Sequence, residues 1–152
     1  MAVSVILNLS APDAPAAIRQ LADSLAHAPG VADCPRLLAD TLAREAILST
    51  YVGDGVALPH ARTDAVTARV VAVARSAAGV PFGPKGELAH LIVLVGCPRD
   101  DVSAYLTFSR QLLRRLREPL VRAELLAAHD SAKLLHILEL GEVPTAAGSA
   151  AP

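Results

Sequence analysis

The sequence predicts an α/β fold, a mixed β-sheet sandwiched between helices, and three observations carry that prediction. Helix-period apolar patterns fill the first third and the last third of the chain, while strand-like runs of Val, Ile and Leu occupy the middle. Hydrophobic residues make up 53% of the 152, yet aromatic residues only 3% and Trp none, so the core is built of Ala, Leu and Val. That length suits one domain, placed over residues 1–143, with a small, polar stretch at 144–152 expected as a flexible tail.

The elements follow in order. Residues 1–7 are apolar and read as a first strand rather than a leader, since no basic segment precedes them and Asp13 follows soon after. Asp13 is placed to cap a helix with Pro15 in its first turn; Ile18, Leu21, Ala22 and Leu25 form its stripe, and Pro29-Gly30 ends it. A second helix is expected over Cys34–Ile47, with Leu37, Leu38, Leu42 and Ile47 inward. The stretch Tyr51 to His60 reads as strand, glycine turn and strand, because Gly53 and Gly55 around Asp54 favour positive φ. Residues 68–74 are β-branched and strand-like, 80–86 read as a loop, and His90–Gly96 is apolar at consecutive positions, as in a strand buried on both faces. A long helix begins at Asp100 or Asp101, with Val102, Leu106, Leu112, Leu113 and Leu116 as its apolar face. Two shorter helices are expected at 122–128 and 132–138, the second capped by Asp130 or Ser131.

Charge and cysteine content narrow the function classes. A net charge of −1 gives no general attraction to nucleic acid or to an anionic membrane. No apolar run approaches the ~20 residues of a membrane span, so no membrane insertion is expected. Two cysteines, Cys34 and Cys97, outside any Cys-x-x-Cys pattern, fit a reducing cytoplasmic setting better than a disulfide framework. Neither the histidines nor the cysteines show metal-ligand spacing, and Gly53-Asp54-Gly55 lacks the spacing and lysine of a phosphate loop; no metal and no cofactor are expected.

The chemistry concentrates in residues 42–62. Pro59 stiffens the approach to His60, so a ring nitrogen can be presented from a fixed strand end. A neutral imidazole is a competent nucleophile near neutrality. Arg62 lies two residues on and, in an extended chain, points to the same side as His60. Arg44 ends a helix leading into this segment, and its planar fork suits phosphoryl oxygens. Thr50 can add a hydroxyl donor. Phosphoryl transfer asks mainly for such positioning and positive charge.

Arg44-Glu45, then Ser49-Thr50, then Gly53-Asp54-Gly55-Val56-Ala57-Leu58-Pro59-His60-Ala61-Arg62 resembles the active-site pattern of the fructose/mannitol/nitrogen-regulatory type of enzyme IIA of the bacterial phosphotransferase system. Gly79 to Gly83, and His90 to Pro98 followed by a helix, resemble that family in order and spacing, and the likeness covers roughly residues 3 to 140. It implies the mannitol/nitrogen-regulatory IIA fold, His60 as acceptor of a phosphoryl group from the small carrier HPr or a homologue, reaction through Nε2, and Arg44 as the active-site arginine. A sugar permease IIB domain, or a regulated kinase or transporter, is the onward partner it implies.

One position departs from the pattern. Where the family usually carries a second histidine in a His-Leu pair, this chain has Tyr105-Leu106. A tyrosine can donate a hydrogen bond to a phosphoryl oxygen but cannot shuttle protons near neutral pH. A regulatory or stand-alone phosphocarrier is therefore the first reading. The alternatives are a regulatory module that docks a partner and switches on phosphorylation, and a degenerate one that docks it without being phosphorylated. Arg62, Thr50 and Tyr105 also admit purely structural readings, and the row Arg110, Arg114, Arg117 reads as a solvated helix face.

Overall fold

The computed structural model describes residues 1–141; the tail expected at 144–152, and the last two residues of the expected domain, lie outside them. The described residues form a six-stranded mixed sheet with helices on both faces. The elements are β1 (Ala2–Ile6), α1 (Ala14–Asp23), α2 (Cys34–Ile47), β2 (Tyr51–Gly53), β3 (Val56–Ala57), β4 (His60–Arg62), β5 (Val70–Pro81), β6 (Leu88–Cys97), α3 (Val102–Leu116), α4 (Pro119–Ala127) and α5 (Ser131–Leu138).

β6 is central, as its unbroken apolar run requires. It pairs antiparallel with β5 and parallel with both β3 and β4, in the sheet order β1-β5-β6-β3-β2 with β4 joined to β6. Alternation along β5 and β6 then builds two cores. Val70, Ala72, Ala74, Ile92 and Leu94 face α1 and α2 with Ile18, Leu21 and Leu37. Val71, Val73, Leu91, Val93 and Val95 face the other helices with Leu112, Leu116, Leu125 and Leu134.

Local chemistry sets the helix starts. Asp13 accepts a hydrogen bond from Ala16 N at 3.0 Å, Asp33 from Arg36 N at 3.1 Å and Asp130 from Lys133 N at 2.8 Å. Gly53, Asp54 and Gly55 have φ of 98°, 54° and 76°, so the turn expected between β2 and β3 is left-handed at three successive residues. Gly96 lets α2 approach the sheet: a Cβ there would lie 2.9 Å from Leu37 Cδ1 and 3.1 Å from Val70 Cγ2.

Several expectations are corrected. β5 does not end near residue 74 but runs to Pro81, taking in the start of the expected loop, because Val80 and Pro81 pair with Ala89 and Leu88 of β6 beyond an irregular stretch at residues 76–79. Its register shifts between Arg75 and Val80. Ile47 is 79% exposed, since α2 passes the edge of its core contact before reaching that residue. On α3, Val102 and Leu106 are exposed, while Tyr105, Phe108, Leu112 and Leu116 meet the sheet. The helix carries two apolar stripes offset by one residue, and the one holding both aromatics turns inward. α4 begins at Pro119, three residues earlier than expected, with Pro suited to a first turn.

Candidate active site

His60 opens β4, whose three residues pair with Val95, Gly96 and Cys97 of β6. The alternation of the strand puts His60 and Arg62 on the α3 side and buries Ala61 on the other. His60 Nδ1 lies 2.9 Å from the carbonyl oxygen of Leu58. A carbonyl only accepts, so Nδ1 carries the proton and Nε2 keeps the lone pair. The carbonyl is fixed by its neighbours: Leu58 N donates to Thr50 O at 3.1 Å, and Val95 N donates to Pro59 O at 3.0 Å. The imidazole is thus oriented by backbone that β6 holds in place.

Arg44 comes from the last turn of α2, where its Nη1 donates to Leu48 O at 2.8 Å. Beside it, Glu45 accepts two bonds from one residue, the Thr50 N–H at 2.9 Å and the Thr50 hydroxyl at 2.6 Å. This clamp ties the end of α2 to the strand entering the His60 segment. It also shows what Thr50 does: its only hydroxyl proton goes to Glu45, so it holds the chain path instead of offering a donor to an incoming group.

Tyr105 of α3 covers His60, with ring centroids 5.6 Å apart and planes inclined at 37°. Burial pushes its phenol further above the usual range, against a smaller opposing effect of Ser109, so it is protonated near neutral pH. Burial is also the largest influence on His60 and lowers its pKa. The Leu58 hydrogen bond opposes that, Arg44 and Arg62 add to it, and the net direction is down. The imidazole is therefore neutral at neutral pH.

Two cavities flank the histidine and share Arg44, His60 and Tyr105. The larger, about 560 Å³, is polar on one side, with Arg62, Arg99 and Asp40, and is rimmed by Val102 and Leu106. The smaller, about 220 Å³, is walled by Val52, Leu58, Val95 and Leu112 and also reaches Thr50. The structure therefore brings together His60, Arg44, Arg62, Thr50 and Tyr105, all named from sequence. It adds Glu45, Leu58 and Arg99, which sequence reasoning missed as site residues. Glu45 lay inside the quoted pattern, and its spacing to Thr50 was the available signal; nothing in the sequence marked the Leu58 carbonyl. Cys97 is buried at the end of β6, paired with Arg62 of β4, and burial raises its thiol pKa.

Among the described residues no cluster of His, Cys, Asp or Glu is arranged to hold a metal ion, and no helix is long and apolar enough to cross a membrane.

The fold and this pocket define a class before they define a family. The structure superposes on nitrogen regulatory protein IIA-Ntr from Neisseria meningitidis with a TM-score of 0.81, covering 88% of this chain and 92% of that one at 22% identity. It superposes on IIA mannitol from Escherichia coli with a TM-score of 0.75, covering 89% and 95% at 24% identity. These likenesses establish the mannitol/nitrogen-regulatory IIA fold. Residues 2–140 match the family described as phosphoenolpyruvate-dependent sugar phosphotransferase system, EIIA 2, and the chain belongs to that family. It is 34% identical over 136 residues to the PTS system fructose-specific EIIA component of Haloferax volcanii, covering 88% of each chain. It is 36% identical over 129 residues to the multiphosphoryl transfer protein of Salmonella typhimurium, spanning 83% of this chain but only 32% of that longer protein. Membership supports a phosphocarrier role.

Proposed function

We propose that the protein is a phosphocarrier that accepts a phosphoryl group on His60 Nε2 from an HPr-like protein, and that it is a regulatory or stand-alone member of its family acting in the cytoplasm. The observation that carries this reading is the 2.9 Å contact of Nδ1 with the Leu58 carbonyl, which leaves Nε2 as the nucleophile beside Arg44 and Arg62.

The step balances without a proton relay. The Nε2 lone pair attacks phosphorus, the phosphorus–nitrogen bond of the donor phosphohistidine breaks, and its electron pair returns to the donor imidazole. His60 keeps its Nδ1 proton throughout, and the Leu58 carbonyl stabilises the cationic ring that results. Arg44 and Arg62 offset phosphoryl charge in transit, while the Glu45–Thr50 clamp holds Arg44 in place. Tyr105, protonated and packed at a tilt against the ring, restricts its rotation and adds a hydroxyl near the group.

The second histidine usual in the family is therefore not needed for acceptance. Its replacement bears on onward transfer. Among the structural neighbours is a complex of enzyme IIA mannitol with phosphorylated enzyme IIB mannitol of E. coli; a IIB domain, or a regulated kinase or transporter, is the candidate recipient here. The test is incubation with phosphoenolpyruvate, enzyme I and HPr, read by intact mass. Wild type is expected to gain one phosphoryl group and His60→Ala none. No gain in wild type would leave the unphosphorylated docking module as the reading.

A further inference from the structure

The two ends of the sheet are finished differently. At one end β2 has three residues and closes in the left-handed turn at Gly53, Asp54 and Gly55, so little open backbone is left there. At the other end lies β1, five residues long, paired with β5 from Ala2–Val70 to Ile6–Ala74. Beyond that ladder, none of residues 2–6 makes a backbone hydrogen bond among the described residues. A strand bonded on one side only leaves the N–H and C=O of alternate residues facing outward.

Such an edge is ordinarily blunted by a charge, a proline or a bulge. β1 has none of these. It reads Ala-Val-Ser-Val-Ile, its register with β5 is unbroken, and the first charged residue of the chain is Asp13. Its side chains are already packed: Val3, Val5 and Leu7 into the core with Leu125 and Leu134, Ala2 and Ile6 into the core with Ile18 and Leu21. What β1 offers a partner is therefore backbone, which another extended strand satisfies along its whole length.

The strand is also complementary to itself. Turned antiparallel about Ser4, two copies set Ser4 opposite Ser4, Val3 opposite Val5 and Ala2 opposite Ile6. The two members of each pair lie on one face of the sheet, so each helical layer of one copy continues into the same layer of the other. No charge repeats across the axis within residues 1–12, and a net charge of −1 gives the copies little mutual repulsion. The side chain bonded to Ser4 is itself small: Ser24, at the end of α1, with the two Oγ atoms 2.6 Å apart.

We propose that β1 pairs with β1 of a second copy of this chain, antiparallel and centred on Ser4, joining two six-stranded sheets edge to edge. About four to six backbone hydrogen bonds form across the axis, an association of the weak, reversible class. β5 and β6 separate β1 from β4, so the pairing leaves both His60 sites open and the dimer carries two of them.

The experiment is sedimentation equilibrium of full-length wild type, Ser4→Lys and Ser4→Asp over about 1 µM to 1 mM. Wild type is expected to dimerise within that range. Each variant sets like charges face to face at the axis and is expected to associate about fivefold or more weakly. An equimolar mixture of the two variants is expected to recover the association as a heterodimer. Wild type that stays monomeric throughout overturns the proposal. So does a variant that associates within about twofold of wild type, or a mixture that associates no better than its components. Amide hydrogen exchange of wild type needs no variant: exchange in residues 2–6 is expected to slow as concentration rises. Exchange there that ignores concentration overturns the proposal, whether β1 is open throughout or covered throughout by another part of its own chain. None of these readings uses phosphorylation, so their outcome is separate from that of the phosphocarrier reading.

Discussion

His60 holds its proton on the nitrogen facing the Leu58 carbonyl, and that single contact sets both its tautomer and its direction. The depressed pKa has a measurable consequence. In the unfolded chain the imidazole takes a proton near pH 6.5, whereas in the folded protein it does so only at lower pH, chiefly because of burial. Between those two values the unfolded state binds more protons, so stability falls as pH falls through that window. His60→Gln removes this contribution; urea unfolding from about pH 7.5 to 5 is expected to show a shallower acid loss than wild type. Phosphoryl acceptance should likewise hold its rate down to pH values below about 6.5. Arg44 is a second residue-scale test. Among the described residues its guanidinium makes one hydrogen bond, to Leu48 O, so Arg44→Lys keeps the charge but loses the planar fork. Initial rates of phosphorylation are expected to drop about tenfold or more with the thermal midpoint little changed. His60, Arg44 and Arg62 were legible in sequence because a strand's alternation and a helix end fix where they point. Glu45 was not, because its role rests on a contact with Thr50 that only the folded turn creates.

At the scale of elements, the site depends on how α2 is fastened at its end and how closely it lies on the sheet. Thr50→Val removes the hydroxyl that donates to Glu45 at 2.6 Å and leaves that carboxylate oxygen short of a partner. It is expected to cost about 1–3 kcal/mol in urea unfolding and to slow phosphoryl acceptance as well, through Arg44. Gly96→Ala would press a methyl group against Leu37 and Val70 and is expected to cost about 1–3 kcal/mol by the same measurement. Helix starts were legible where an Asp stood before an apolar stripe, as at Asp13 and Asp130. The inward face of α3 was harder to read, since Leu106 and Tyr105 are adjacent and both begin an apolar stripe. Only the position of the sheet decides between them, and it chose the aromatic one. The far half of β5 was illegible for a related reason: Ala77-Ala78-Gly79 has little strand preference of its own and lies in the register shift, beyond which Val80 and Pro81 pair again with β6.

Across the whole molecule, the order of helices, strands and helices was enough to predict a sheet between two helical layers. The pairing of the sheet was not, because β3 and β4 have two and three residues and their partners are set by chain segments some 35 positions away. One side chain joins the layers. Arg75 of β5 donates to Leu7 O at 3.2 Å, to Leu125 O at 3.0 Å and to Ala128 O at 2.6 Å, tying the segment after β1 and the end of α4 to the sheet. Arg75→Met removes this donor from all three carbonyls and is expected to cost about 2–4 kcal/mol of global stability, measured by urea unfolding. The sheet in turn holds β4 rigid, and with it the histidine.

The measurement that tests the central claim most directly is the long-range proton–nitrogen NMR spectrum of protein labelled with nitrogen-15 at histidine, before and after phosphorylation by the HPr-like carrier. His60 is expected to begin as the tautomer protonated on Nδ1, and phosphorylation to move its Nε2 resonance while leaving the other four histidines unchanged. A phosphoryl group on Nδ1, or on any other histidine, would contradict it.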